Sequence, residues 1–333
     1  MFPIQVGKSF CYFNFKMAFR FLHRKNRNAA KRFGKKGLLG TELQKKQEVF
    51  MRNSVKVLTI GNSFTDSLAE FFPKVAASAG CELVFQRANF GGCELERHWS
   101  YISAEEQSEI CRIYNGGVKL KDTLSKTDWD FVTIQQASHA SWNWSTYMPF
   151  AQDIHDYVKK YAPGAEILIQ QTWAYHPYDS RIRQGGEWGF DQTGMYERLT
   201  ECYTRLAETL NLRIIPSGYA VQKLRKLRPF RFMDYDPAQL SELSWPDLPP
   251  MADEPVGRAF WYKMKDGSMK ICMDLIHLNE RGRYLQACLW FAFLFERSAE
   301  EIKFVPEMIA NDDAAVMRKL ADEAIKEFVQ VKK

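Results

Sequence analysis

The 333-residue sequence predicts an α/β protein built on a parallel sheet with helices over both faces. Two observations carry this. Five short apolar runs alternate with segments of helical periodicity, the order expected of strand–helix–strand units. The first of these runs, Val55–Ile60, reads as a strand buried in a parallel sheet. Right-handed crossovers would then bring the residues after each run to one edge of the sheet, where open α/β sheets hold their ligands.

The first run, Val55–Ile60, stops at Gly61 and delivers Asn62-Ser63 to that edge. Ser67-Leu68-Ala69-Glu70 fits a capping box for the next helix, Pro73 is tolerable in a first turn, and Gly80 can end the helix. Leu83-Val84-Phe85 is the second strand. The paired Gly91-Gly92 beyond it suits a close backbone approach to a ligand, or an ordinary turn. Residues 94–128 read as irregular helix and loop, broken at Asn115-Gly116-Gly117. Asp130–Gln135 is the third strand, followed by Gln136-Ala137-Ser138-His139, and a helix around Tyr147–Tyr161 ends at Pro163-Gly164. Glu166–Gln170 and Leu212–Pro216 complete the sheet, with helices at Met195–Leu210 and Tyr219–Arg228. After a proline-rich stretch, 229–255, Phe260–Met264 and Met269–Met273 flank a glycine turn and read as a β-hairpin. The Asp274–His277 loop and helices at Glu280–Glu296 and Asp312–Val329 close the chain.

Hydrophobic content of 46% and aromatic content of 14% fit a globular protein. No apolar run approaches the roughly 18 residues of a membrane span, so a soluble, cytoplasmic protein without a membrane partner is expected. The net charge of +6 is unevenly spread: residues 1–53 hold 13 Lys and Arg against Glu42 and Glu48, and the remaining 280 hold 33 against 38 acids. A basic segment can meet nucleic acid, meet an anionic membrane or serve in targeting, but its composition reads best as a disordered tail. The acidic body argues against a nucleic-acid partner. The expected organisation is therefore a basic extension at 1–53 and one domain at 54–333, with an inserted hairpin near 258–273. Seven scattered cysteines have no disulfide-framework or Cys-x-x-Cys spacing and read as free thiols in a reducing compartment.

A hydroxyl at the end of a buried strand becomes a nucleophile only with a base in reach and a group that orients the base. Asp274 and His277, three residues apart, can supply both from one segment, with Ser63 as the hydroxyl. The plainer reading makes Ser63 a turn residue, His277 a core histidine and Asp274 a loop cap. His98, His139, His155 and His176 lack the tight helical pairing of zinc motifs, so neither a metal nor a cofactor is expected.

Several stretches together resemble the blocks of the SGNH/GDSL hydrolases. They are Gly61-Asn62-Ser63-Phe64-Thr65, residues 91–99 from Gly91-Gly92, residues 129–139 through Gln135-Gln136, residues 171–175, and residues 277–285 with the preceding Asp274. The resemblance covers about residues 54–300 and is similar to a bacterial branch of that superfamily. It implies a three-layer, flavodoxin-like α/β/α sandwich with a central parallel sheet of about five strands. It further implies a serine esterase acting on carboxylic esters, with acetyl esters of carbohydrates a common substrate class. Ser63 would be the nucleophile, His277 the base and Asp274 its partner. The N–H groups of Ser63 and Gly92 and the Gln136 amide would form the oxyanion hole, with Gln135 and His139 as alternatives for that third donor. Asn62 stands where many relatives carry Asp, and the third block lacks the usual Gly-x-Asn.

Trp99, Trp142, Trp144, Trp173, Tyr175 and Trp188 fall in strand-end loops, where they could stack on a sugar or simply pack. Trp173, Tyr175 and His139 are the candidate substrate contacts. A catalytically silent carbohydrate-binding protein on the same scaffold is the alternative function, and the oligomeric state is open. A chain beginning at Met51 is expected to fold with the full domain's cooperativity. Loss of a cooperative thermal transition by circular dichroism would show that the extension is part of the fold.

Overall fold

Five strands form one parallel sheet in the order β2–β1–β3–β4–β5: β1 (Ser54–Gly61), β2 (Glu82–Asn89), β3 (Phe131–Ile134), β4 (Glu166–Gln170) and β5 (Arg213–Ile215). The computed structural model describes residues 51–114, 116–183, 185–227, 242–249 and 254–328. The segment expected to be a basic tail lies outside them up to residue 50, as does much of the proline-rich stretch.

Side chains alternate across the pleat. Val57, Phe131, Leu168 and Ile215 pack under α2 (Leu68–Ser78), α7 (Ser217–Leu227), α8 (Glu280–Phe295) and α9 (Asn311–Glu327). Leu58, Val132, Ile167 and Ile214 face α3 (Leu95–Gln107), α4 (Leu120–Lys126), α5 (Phe150–Tyr161) and α6 (Gln192–Leu210). The result is a three-layer α/β/α sandwich. Beyond its charged first turn, helix α8 is almost wholly apolar because it is covered all round, with Trp290, Phe291 and Phe295 fully buried. No described helix is long and apolar enough to cross a membrane.

The strand order reverses direction between β1 and β3, which opens a crevice at the carboxyl ends of these strands. The short helix α1 (Ser63–Asp66) begins there. Its cap is Asn62, whose side chain accepts a hydrogen bond from the Phe64 N–H. The chain is therefore already helical at Ser67, which makes no cap bond. Its hydroxyl donates instead to the Phe64 carbonyl at 2.8 Å and meets Gln286 Oε1 at 2.5 Å.

A second, two-stranded antiparallel sheet pairs β6 (Val256–Lys263) with β7 (Met269–Leu278). The hairpin is longer than its sequence suggests, and Asp274–His277 lies inside β7 rather than in a loop. Pairing runs from Arg258↔Asp274 directly to Val256↔Leu278, so Gly257 alone faces Leu275, Ile276 and His277. Gly257 has φ +99, a conformation open to glycine, and the surplus residues on β7 bulge.

An isolated two-stranded ribbon is marginal in water. This one is tied down at its base. Asn279 caps α8 through its side-chain oxygen and donates from Nδ2 to the carbonyls of Glu254 at 2.6 Å and Gly257 at 3.1 Å. Arg225 on α7 pairs with Glu254 at 2.5 Å, both side chains nearly buried. Asn279→Ala removes the cap and leaves two carbonyls unpaired, so a loss of about 2–4 kcal/mol is expected in urea unfolding. A loss below about 0.5 kcal/mol would refute this account of the hairpin base.

Candidate active site

Ser63 is the first residue of α1, so the end of β1 and the Asn62 cap together aim its hydroxyl. Asn62 holds three groups at once. Its Oδ1 accepts from the Phe64 N–H at 3.1 Å and from Gln135 Nε2 at 2.6 Å, while its Nδ2 donates to the Cys93 carbonyl at 3.1 Å. An ionised Asp could accept the first two and could not make the third, which accounts physically for an amide at this position. Below it, the buried His98 donates from Nε2 to the Gly61 carbonyl at 2.9 Å and accepts at Nδ1 from the Tyr114 hydroxyl at 3.0 Å.

The bulge in β7 carries the other side of the site. Asp274 Oδ1 accepts from the N–H groups of Ile276 and His277, both at 3.0 Å, and Oδ2 meets His277 Nδ1 at 2.8 Å. The opposite ring nitrogen, Nε2, lies 2.8 Å from Ser63 Oγ. With Nδ1 protonated toward the carboxylate, Nε2 is left to accept the serine proton. Burial opposes ionisation of Asp274, but hydrogen bonds from the His277 ring and backbone and from Ile276 outweigh it and hold the carboxyl well below the usual range. The His277 and Asp274 side chains are 29% and 15% exposed, so the ring reaches solvent while its partner is screened.

The structure thus brings together Ser63, His277 and Asp274. It adds a support that the sequence does not advertise: Trp173 stacks on Phe64 with ring centroids 4.1 Å apart and donates from Nε1 to the Ile276 carbonyl at 2.9 Å. Trp173 therefore fastens the histidine's strand to the serine's helix. It is fully buried, as is Tyr175, whose hydroxyl pairs with Ser138 Oγ at 2.9 Å. Neither ring has a face to offer a substrate, contrary to the sequence expectation.

Gln136 also departs from expectation. Its Nε2 donates to the Thr146 carbonyl and hydroxyl at 2.8 and 3.0 Å, and its oxygen accepts from the Leu95 and Ala137 N–H groups. Both amide hydrogens are committed and the side chain is buried, so Gln136 fastens the strand-end loops and holds no donor for an incoming oxygen. Gln135 donates to Asn62 as described. His139 is the half-exposed one of the three, with Nε2 against Glu94 Oε1 at 2.8 Å. Among the described residues, no acceptor takes the N–H of Ser63 or of Gly92. Gly92 sits at φ +58, where a residue with a Cβ is strained, and open space surrounds it.

A Ser–His–Asp line at the switch point of a three-layer α/β/α sandwich defines the class of site. The family model for DUF4886, a domain of unknown function, matches residues 56–228, and the chain belongs to that family. A solved DUF4886 family protein from Bacteroides uniformis ATCC 8492 is similar over 82% of this chain and 95% of its own, at 22% identity and TM-score 0.62. A candidate SGNH hydrolase from Slackia heliotrinireducens is 19% identical over 73% of this chain and 99% of its own, with TM-score 0.42. The lipase/acylhydrolase from Enterococcus faecalis is 14% identical over 76% and 99%, with TM-score 0.40. No curated protein matches the sequence significantly.

Burial lowers the pKa of His98 from 6.5 to about 4, against the opposing pull of the Gly61 carbonyl. Unfolded, this histidine titrates near 6.5, so between there and about 4 the unfolded chain binds the extra proton. Stability should fall as pH drops through that window, by about 3 kcal/mol for this group, and be insensitive to it above. Urea unfolding at about pH 7.5 and about pH 5 should show a clear loss in the wild type and a smaller one in His98→Gln. An equal loss in both would remove His98 as its source.

Proposed function

We propose that this chain is a serine ester hydrolase of the SGNH type, acting on carboxylic esters through an acyl-enzyme. The observation that carries the reading is the unbroken hydrogen-bonded line from Ser63 Oγ through the His277 ring to Asp274. Ser63 attacks the acyl carbon as His277 Nε2 takes its proton, and Asp274 holds the tautomer and stabilises the imidazolium. The unengaged N–H groups of Ser63 and Gly92 receive the oxyanion. His277 then protonates the departing alcohol. Water, deprotonated by the same ring, attacks the acyl group and frees Ser63. The block resemblance supports an acetyl ester on a carbohydrate as the natural substrate.

The commitment of Gln136 favours weighing a second reading, a catalytically silent carbohydrate binder, since one side-chain donor expected at the oxyanion is absent. A fluorophosphonate probe separates the two, because only an activated serine captures it. Expected outcomes are labelling of the wild type at Ser63 and hydrolysis of p-nitrophenyl acetate or acetylated xylan, with nearly all activity lost in Ser63→Ala and His277→Ala. Hydrolysis undiminished in Ser63→Ala would sink the mechanism, and an unlabelled wild type inactive on every ester would favour the binder.

A further inference from the structure

Arg258 stands directly opposite Asp274 in the hairpin register. Residues opposed in an antiparallel pair project from the same face, with their Cβ atoms about 5 Å apart. The guanidinium therefore rises from the face that carries the carboxylate of the triad. That same face continues through Phe260 and Tyr262 on β6, opposite Cys272 and Lys270 on β7. Phe260 and Tyr262 are 39% and 57% exposed, so the face opens to solvent.

What sets Arg258 apart among the described arginines is a buried donor without an acceptor. Its Nε is buried and makes no hydrogen bond, and among the described residues no acidic side chain pairs with the guanidinium, which rests against the Phe260 ring at 5.9 Å. Asp274 makes no bond to it: its oxygens accept from the Ile276 and His277 N–H groups and from the His277 ring. Three other partly buried arginines are each held by an acid at close range: Arg225 by Glu254 at 2.5 Å, Arg181 by Asp179 at 2.6 Å and Arg213 by Glu166 at 2.7 Å. A half-buried guanidinium with a desolvated, unpaired N–H is costly unless something completes it. A planar oxyanion does so well, since the fork of donors matches a carboxylate or phosphate.

We propose that Arg258 binds an anionic group on the substrate, so that this site prefers esters bearing a carboxylate or phosphate beside the scissile bond. The assignment rests on the esterase reading for its substrate, while the anion site itself can be probed by binding alone. An anion held over Arg258 would sit next to the Asp274–His277 pair and register the acyl carbon against Ser63. The exposed aromatic rings on the same face suit an apolar body attached to that anion.

Three acetyl esters of similar shape test this: 4-acetoxybenzoate, 4-acetoxyphenyl phosphate and the neutral 4-acetoxybenzamide. The wild type should show higher kcat/KM on at least one anionic ester, mainly through KM, and whichever anion wins identifies the group. The anionic-to-neutral ratio should drop roughly 10–100-fold in Arg258→Gln, as expected for charge-assisted hydrogen bonds, and stay intermediate in Arg258→Lys. A wild type without preference, or an equal loss on all three esters in Arg258→Gln, overturns the proposal. Should the Gln variant not fold, the wild type still decides, because 4-hydroxybenzoate or 4-hydroxyphenyl phosphate must bind more tightly than 4-hydroxybenzamide by calorimetry. If no ester is cleaved yet that binding preference is present, the hydrolase reading fails and the anion site stands. If both are absent, both fail.

Discussion

The contact between Ser63 Oγ and His277 Nε2 joins positions 214 residues apart in the chain, and the two sides reach it from foundations of very different stiffness. Ser63 follows a strand paired on both sides, β1 lying between β2 and β3. His277 sits on a ribbon of two strands, the whole of that sheet among the described residues. A distance near 3 Å must therefore be maintained between a rigid sheet edge and a marginal hairpin. Much of the structure around the site answers that requirement.

The answer is made at three points. Asn279 binds the base of the hairpin to the start of α8, a helix that is buried on all sides beyond its first turn and so serves as an anchor. Arg225 and Glu254 tie the segment before β6 to α7, and Arg225 also donates to the carbonyls of Ala174 and Tyr175 behind the site. Trp173 bridges the gap most directly, stacked on the residue after Ser63 and bonded to the residue before His277. A buried ion pair contributes little net stability, yet removing one partner strands a charge. Such a pair suits a place where geometry matters more than free energy.

The sheet and its helices were legible because buried parallel strands leave an unmistakable apolar pattern between glycines and helical periodicities. The pairing of Asp274 with His277 was legible too, since three residues suffice to bring carboxylate and ring together. Their location in a strand was not, because the bulge opposite Gly257 depends on a non-local register that no periodicity encodes. Gln136 misled for a related reason. Its place at a strand end was right, but whether its amide faces the crevice or Thr146 is settled by the path of the 137–146 loop. Trp173 and Tyr175 likewise sit near the crevice, and only packing turns them inward. Arg258 drew no notice because its significance lies in what stands across the hairpin.

The polar groups beneath the crevice share one property. Asn62, Thr65, Gln135, Gln136 and Gln170 are neutral side chains, buried and hydrogen-bonded, and His98 is kept neutral by its burial. Neutral groups can be buried at the cost of satisfying their hydrogen bonds, without the far larger penalty of desolvating an ion. Such a floor positions the Gly61 carbonyl and the Asn62 cap without imposing a competing charge on the histidine. Asp274 then acts on His277 as the nearest screened charge, at 2.8 Å, with both its oxygens directed by backbone and ring. Across the hairpin, Arg258 supplies a positive charge that makes no hydrogen bond to Asp274. On the proposed reading a substrate anion would be drawn to the arginine, while the Asp274 carboxylate keeps its bonds to His277. The two opposite charges stand on adjacent strands in direct register, near enough to act on one molecule.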